Sequence, residues 1–269
     1  LDRQMTEYGN DGVYLDGTSE PWGCTNTAHG CGYVKPDGSI GKTYPIFAVR
    51  HLMKRIHTIV KRHNPQGQVD VHQSSCMTIP TLAFATSYLD GEQFQGHQRG
   101  PFALDILPLD AFRCEFMGHQ WGVPADFLVA TTAYTRDEAM AFGLLHDVPV
   151  RGYTDVLAPL WRTFDQFGRG QADCVWVPYW QGERFVRTNG PDIKVSLYNR
   201  PGRGLIAVIS NVGRTAQTAE LTFDLAALGQ KGAPTARDVL GEANLTLQNG
   251  RLAAPLKSLG YIVVWVRGK

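Results

Sequence analysis

The chain has 269 residues, 43% of them hydrophobic, and a formal charge of +1, so it can bury one large core or two smaller ones. So balanced a charge gives no field to draw in a polyanion, and no apolar run approaches the ~20 residues that span a bilayer; neither nucleic acid nor a membrane is an expected partner. Five cysteines without paired C-x-x-C spacing specify neither a disulfide framework nor a zinc ribbon.

The first strand signal is Gly12-Val13-Tyr14-Leu15-Asp16-Gly17, a short β-prone run that stops at an acid and a glycine. A glycine-rich stretch from 17 to 43 follows, too long for a plain connection and so expected to be a functional excursion. After Pro45, residues Ile46, Val49, Leu52, Met53, Ile56 and Val60 recur at helical spacing, with Lys54, Arg55, Lys61 and Arg62 off that stripe. Pro65-Gln66-Gly67 ends the helix; strands are expected at Val69–Gln73 and at Ser87–Asp90. An amphipathic segment near 103–117, an apolar run at Ala125–Thr132 and helical runs near 136–146 and 154–167 continue the alternation. Strand, helix and strand in turn argue for parallel α/β units.

From about Ala172 the pattern becomes all-β. Val175–Val177, Ile193–Tyr198, Leu205–Ile209, Glu220–Phe223 and Tyr261–Val266 are short, β-rich and parted by Gly, Pro or Asn turns. The boundary is placed at Gly168-Arg169-Gly170, giving residues 1–170 as a (β/α) barrel portion and 171–269 as a small antiparallel β-sandwich.

In a parallel α/β barrel, residues at the C-terminal strand ends converge on one face. Asp16 holds such an end, and so does the Asp90-Gly91-Glu92 corner. Cleaving a glycosidic bond commonly needs two carboxyl groups, one to protonate the departing oxygen and one to attack or stabilise the cationic centre. Asp16 is therefore the candidate nucleophile and Glu92 the candidate acid/base. Asp90 is its alternate because Glu92 has the longer reach, and Glu20 is held in reserve. The competing reading is that both Asp-Gly pairs are simply turns.

Trp22, His29 and Tyr33 in the long loop, His72 and Gln73 at a strand end, and Arg99 in the loop after Glu92 are candidate substrate contacts, through aromatic faces and hydrogen bonds to hydroxyls. Cys24 and Cys31 could form a local disulfide. Metal binding by Cys24, His29 and Cys31 is the alternative, set aside because C-x6-C lacks the usual short spacing and shows no fourth ligand; no metal is expected. Gly38–Thr43 ends like a phosphate-binding loop, but Pro36 stands where its first glycine belongs, and nucleotide binding is rejected. The basic residues of the helix at 46 read as a solvated face.

Asp11–Thr18 through Cys24, then Asn26–Tyr33, then Leu89-Asp90-Gly91-Glu92-Gln93, resemble bacterial glycoside-hydrolase-domain proteins. The likeness extends distantly to glycoside hydrolase family 123 and to α-galactosidase-like barrels, over roughly residues 8–170. It implies a (β/α)8-type barrel followed by a sandwich, and, from the α-galactosidase pattern, Asp16 as nucleophile with Glu92 or Asp90 as proton donor. Family 123 uses an adjacent Asp-Glu pair, and none follows the first strand here.

A full barrel takes about 250 residues, so three N-terminal strands are expected to be missing from this chain, and association with that portion or with another chain is expected. The expected activity is a retaining glycoside hydrolase, secreted or periplasmic, acting on an oligosaccharide or polysaccharide and needing no cofactor. Two rivals remain: a noncatalytic carbohydrate-binding protein that uses the same cleft, and a metal-dependent enzyme built on Cys24, His29, Cys31 and His72.

Overall fold

The computed structural model describes residues 1–18, 22–74, 77–117, 122–151, 154–232 and 234–267. The chain forms two compact units: Leu1–Gln93 with Gly118–Leu128, and Phe94–Met117 with Val129–Lys269.

In the first unit, strands β1 (Gly12–Leu15), β4 (Gln68–His72), β5 (Ser87–Asp90) and β6 (Ala125–Leu128) lie side by side in that order, all parallel. They form an open row with β1 at its edge, so the parallel α/β expectation holds, and no complete barrel is formed among the described residues. Val69 and Val71 of β4 are buried, whereas Asp70 and His72 are half-buried on the other face, the period-two signature of a strand. Helices α1 (Asp2–Glu7), α2 (Ile46–His63) and α3 (Ile79–Leu82) are the α-helices among this unit's described residues, and the long loop carries a small hairpin, β2 (Tyr33–Val34) with β3 (Ile40–Gly41).

Helix α2 covers the residues its periodicity predicts, yet only part of the apolar stripe is used. Met53 and Val60 are buried and Val49 and Ile56 half-buried, while Ile46 and Leu52 are exposed. Ile46 lies in the first turn of a helix about 27 Å long, which outruns the roughly 17 Å of β4, whereas Leu52, one residue from buried Met53, is turned off the buried face.

In the second unit, α4 (Ala103–Ile106), α5 (Leu109–Phe116), α6 (Arg136–Gly143) and α7 (Thr154–Phe167) precede the sandwich, with a two-residue strand β7 (Val150–Arg151) between α6 and α7. Helix α6 starts with a capping box: Thr135 Oγ1 accepts from Glu138 N at 3.3 Å, and Glu138 Oε2 accepts from Thr135 N at 2.6 Å.

The sandwich strands are β8 (Val175–Val177), β9 (Val186–Thr188), β10 (Ile193–Arg200), β11 (Gly204–Asn211), β12 (Gln217–Phe223), β13 (Thr235–Asp238), β14 (Asn244–Leu245), β15 (Arg251–Leu256) and β16 (Tyr261–Arg267). One sheet runs β14-β13-β16-β11-β10-β8 and the other β15-β12-β9. Between them Leu197, Leu205, Ala207, Ile209, Leu221 and Val264 form the core. Every residue of β11 is buried, because its second face lies under helical residues: Ser210 Oγ donates to Ala141 O at 2.6 Å, and Ser196 Oγ of β10 to Leu145 O at 2.7 Å. Composition changes at Gly168–Gly170, but packing runs through that point.

Candidate active site

The site is assembled at the C-terminal ends of three neighbouring parallel strands. Leu15 pairs with Val71 and His72 with Leu89, so Asp16 and His72 fall level where β1 and β4 stop, with Asp90 at the end of β5 one residue beyond Leu89. Gln73 N donates to Leu89 O at 2.8 Å, extending the ladder one step. Thr18 Oγ1 ties the loop after β1 to the end of β4 through His72 O at 2.8 Å.

His72 is the hub. Its Nδ1 lies 2.7 Å from Asp16 Oδ1; its Nε2 lies 2.7 Å from Ser74 Oγ and 3.3 Å from Glu92 Oε2. An ionised carboxylate only accepts, so Nδ1 carries the proton toward Asp16. With the ring neutral, the Ser74 hydroxyl donates to Nε2; with it protonated, Nε2–H can point at Ser74 or Glu92. Glu92 N donates to Ser74 Oγ at 3.1 Å, so the same hydroxyl fixes the backbone that carries the second acid.

The His72 hydrogen bond, aided by the Gly17 N–H, holds the Asp16 carboxyl below the usual carboxylate range. Asp16 is 77% exposed and Glu92 43%, while the ring between them is only 12% exposed. Two reachable carboxylates thus flank one sheltered imidazole.

The remaining candidates divide. Asp90 is fully buried, with Oδ1 accepting from Gly91 N at 2.7 Å. Gln73 is fully buried as well: Nε2 donates to Thr18 O at 2.7 Å and Oε1 accepts from Thr78 N at 3.1 Å, so its amide is engaged with protein. Trp22 is the most exposed large apolar residue among those described in the first unit, at 84%, and Tyr33 is exposed on the hairpin. Arg99 lies in the second unit, where Nε donates to Thr131 O at 3.0 Å. Glu20 falls outside the described residues.

His29 Nε2 is 3.5 Å from Cys24 Sγ, and Cys24 and Cys31 are free thiols rather than a disulfide. With the Cys31 sulfur these are the metal-ligating groups that cluster among the described residues; His72 is not one of them. Ser74 and Thr18 were not singled out from sequence. The available signal for Ser74 was parity, since residues 72 and 74 of an extended chain share a face. A hollow of about 570 Å³ lined by Arg184, Phe185, Arg187, Asp224 and Asn249 lies on the sandwich and contains none of the acids named above.

Residues 157–241 match the family model "Glycoside hydrolase 123, C-terminal domain". A search of curated protein sequences finds no match. Among solved structures, a GH27 β-L-arabinopyranosidase from Geobacillus stearothermophilus superposes with a TM-score of 0.55 at 13% identity, over 100% of this chain and 61% of that one. An α-galactosidase I from Mortierella vinacea gives 0.51 at 9% identity, over 98% and 70%. The isomalto-dextranase of Arthrobacter globiformis T6 gives 0.52 at 15% identity, over 100% and 47%. At these identities the likeness concerns the fold. The chain spans about three fifths of the arabinopyranosidase's length.

Proposed function

We propose that the protein is a glycoside hydrolase in which Asp16 and Glu92 are the two working carboxylates and His72 couples them. One observation carries this reading: a single imidazole meets Asp16 at 2.7 Å and Glu92 at 3.3 Å, bringing two acids from separate strand ends to one place. The matched family model and the barrel-type hydrolase neighbours support the same activity class.

The chemistry requires one ionised and one protonated carboxyl at the start of the cycle. Asp16 suits the ionised role, because the hydrogen bond from His72 and the Gly17 N–H favour its charge and its side chain stays open to a substrate. Glu92 then protonates the departing oxygen. Its resulting negative charge lies 3.3 Å from Nε2 of His72, and Glu92 later takes the proton from the incoming water. Asp16 as nucleophile would retain the anomeric configuration; two acids on opposite nitrogens of one imidazole stand roughly 7 Å apart, nearer the ~6.5–9.5 Å of inverting enzymes, so the first product anomer decides the stereochemistry. An oligosaccharide or polysaccharide is the proposed substrate, with Trp22 and Tyr33 available as ring-stacking faces.

The test is a screen of the purified protein against nitrophenyl glycosides and polysaccharides, with Asp16→Asn and Glu92→Gln as controls and NMR of the first product anomer. Asp16→Asn should abolish turnover while leaving the fold intact, and Glu92→Gln should lower kcat by about 10²–10⁴-fold, the range for a lost proton-transfer group. Near-normal turnover in either variant removes that residue from the mechanism. Glycan binding with no release from any substrate would instead make the protein a noncatalytic binder using the same cleft.

A further inference from the structure

We propose that Cys24, His29 and Cys31 form a zinc site that clamps the long loop following Asp16. Their ligand atoms, two sulfurs and one imidazole nitrogen, all lie within 4.8 Å of one another, and the Cys24 Sγ to His29 Nε2 distance is 3.5 Å. A tetrahedral zinc with bonds of about 2.3 Å to sulfur and about 2.0–2.1 Å to nitrogen sets its donors about 3.5–3.8 Å apart. The observed edge already has that length, and the other two, no longer than 4.8 Å, would contract by at most about 1 Å.

Sequence spacing argued against this site, because six residues separate the cysteines. The loop closes that gap by folding back on itself. Asn26 accepts from Ala28 N at 2.9 Å through its side chain and from Cys31 N at 3.1 Å through its carbonyl, while Gly30 reverses the chain in the left-handed region at φ +81°. Thr43 then fixes both flanks: it exchanges two backbone bonds with Cys24, at 2.9 and 3.0 Å, and accepts from Gly32 N at 3.0 Å. The three donors are thus set by a backbone frame that exists without the ion.

The donor set also selects the cation. Two thiolates and an imidazole are soft to borderline ligands, which suit zinc and disfavour magnesium or calcium. Among the described residues no fourth side chain joins the cluster. Binding releases the two thiol protons. The ion would anchor the segment between Trp22 and Tyr33, whether or not the neighbouring acids cleave a sugar.

The experiment measures zinc in protein purified without chelator, follows zinc uptake by the reduced protein against a chromogenic chelator, and records the cobalt-substituted spectrum. Cys24→Ser, Cys31→Ser and His29→Ala are compared with Cys174→Ser, which lies in the other unit. The expected result is one equivalent of zinc in the wild type and in Cys174→Ser, a thiolate-to-cobalt charge-transfer band, and loss of both in the three ligand variants. A Cys24–Cys31 disulfide in the intact mass of the native protein overturns the proposal. So does a reduced wild type that takes up no more zinc than the variants.

Discussion

His146 sits where its surroundings oppose its charge. It is 1% exposed among the rings of Phe112, Tyr179 and Trp180, its Nδ1 donates to Phe142 O at 2.7 Å, and Nε2 has no partner among the described residues. Burial pushes its pKa down from 6.5 to about 4. The neutral ring is the folded form, so its contribution is fully present above pH 6.5 and is lost as pH falls toward 4. Between pH 7 and 5 this withdraws about 2 kcal/mol, read as a fall in the urea midpoint. His146→Gln should flatten that slope whatever its stability at neutral pH. At the same scale, the meeting of Asp16, Glu92 and His72 could be anticipated because residues at the C-terminal ends of neighbouring parallel strands converge. Gln73 was misleading for a geometric reason: neighbours in an extended chain point to opposite faces, so His72 and Gln73 could not both look outward.

At the scale of the element, the Asp90-Gly91-Glu92 corner depends on its glycine. Gly91 has φ +135°, and a Cβ there would run into Leu128 O of the neighbouring strand β6. Gly91→Ala should therefore cost about 2–3 kcal/mol or more in chemical denaturation and displace Glu92 from His72, lowering kcat more than it raises KM. Long periodic elements such as α2, α7 and β10–β11 were readable from sequence. Others were not. Strand β15 contains Pro255, acceptable because it lies at the edge of its sheet, and β9, β13 and β14 have two to four residues, too few for a period to show. The Cys24, His29 and Cys31 group was named from sequence but set aside on its spacing, since a loop's return on itself has no periodicity at all.

For the molecule as a whole, the change of composition at residue 170 marks a switch of secondary structure rather than an end of packing. Ile206, Val208 and Val263 are fully buried yet lie outside the core between the sheets; α6 and the turn after it contact β11, and α6 also contacts β16. Exposing these three side chains would cost roughly 5–9 kcal/mol at 1.5–3 kcal/mol each, comparable with the entire stability of a typical domain. Residues 171–267 expressed alone should accordingly show collapsed amide dispersion and no cooperative melt, in contrast to the full chain. A well-dispersed spectrum from that piece would refute the argument.

The interleaving of the two units bears on synthesis. The stretch 94–117 belongs with the sandwich, yet β6 follows it and returns to the parallel sheet. A ribosome releasing this chain from its N-terminus therefore delivers part of the second unit before the last strand of the first. The growing sheet must wait, with β5 lacking its outer neighbour, while a segment destined elsewhere emerges. Such delayed, non-local pairing slows folding and exposes an unfinished edge during translation.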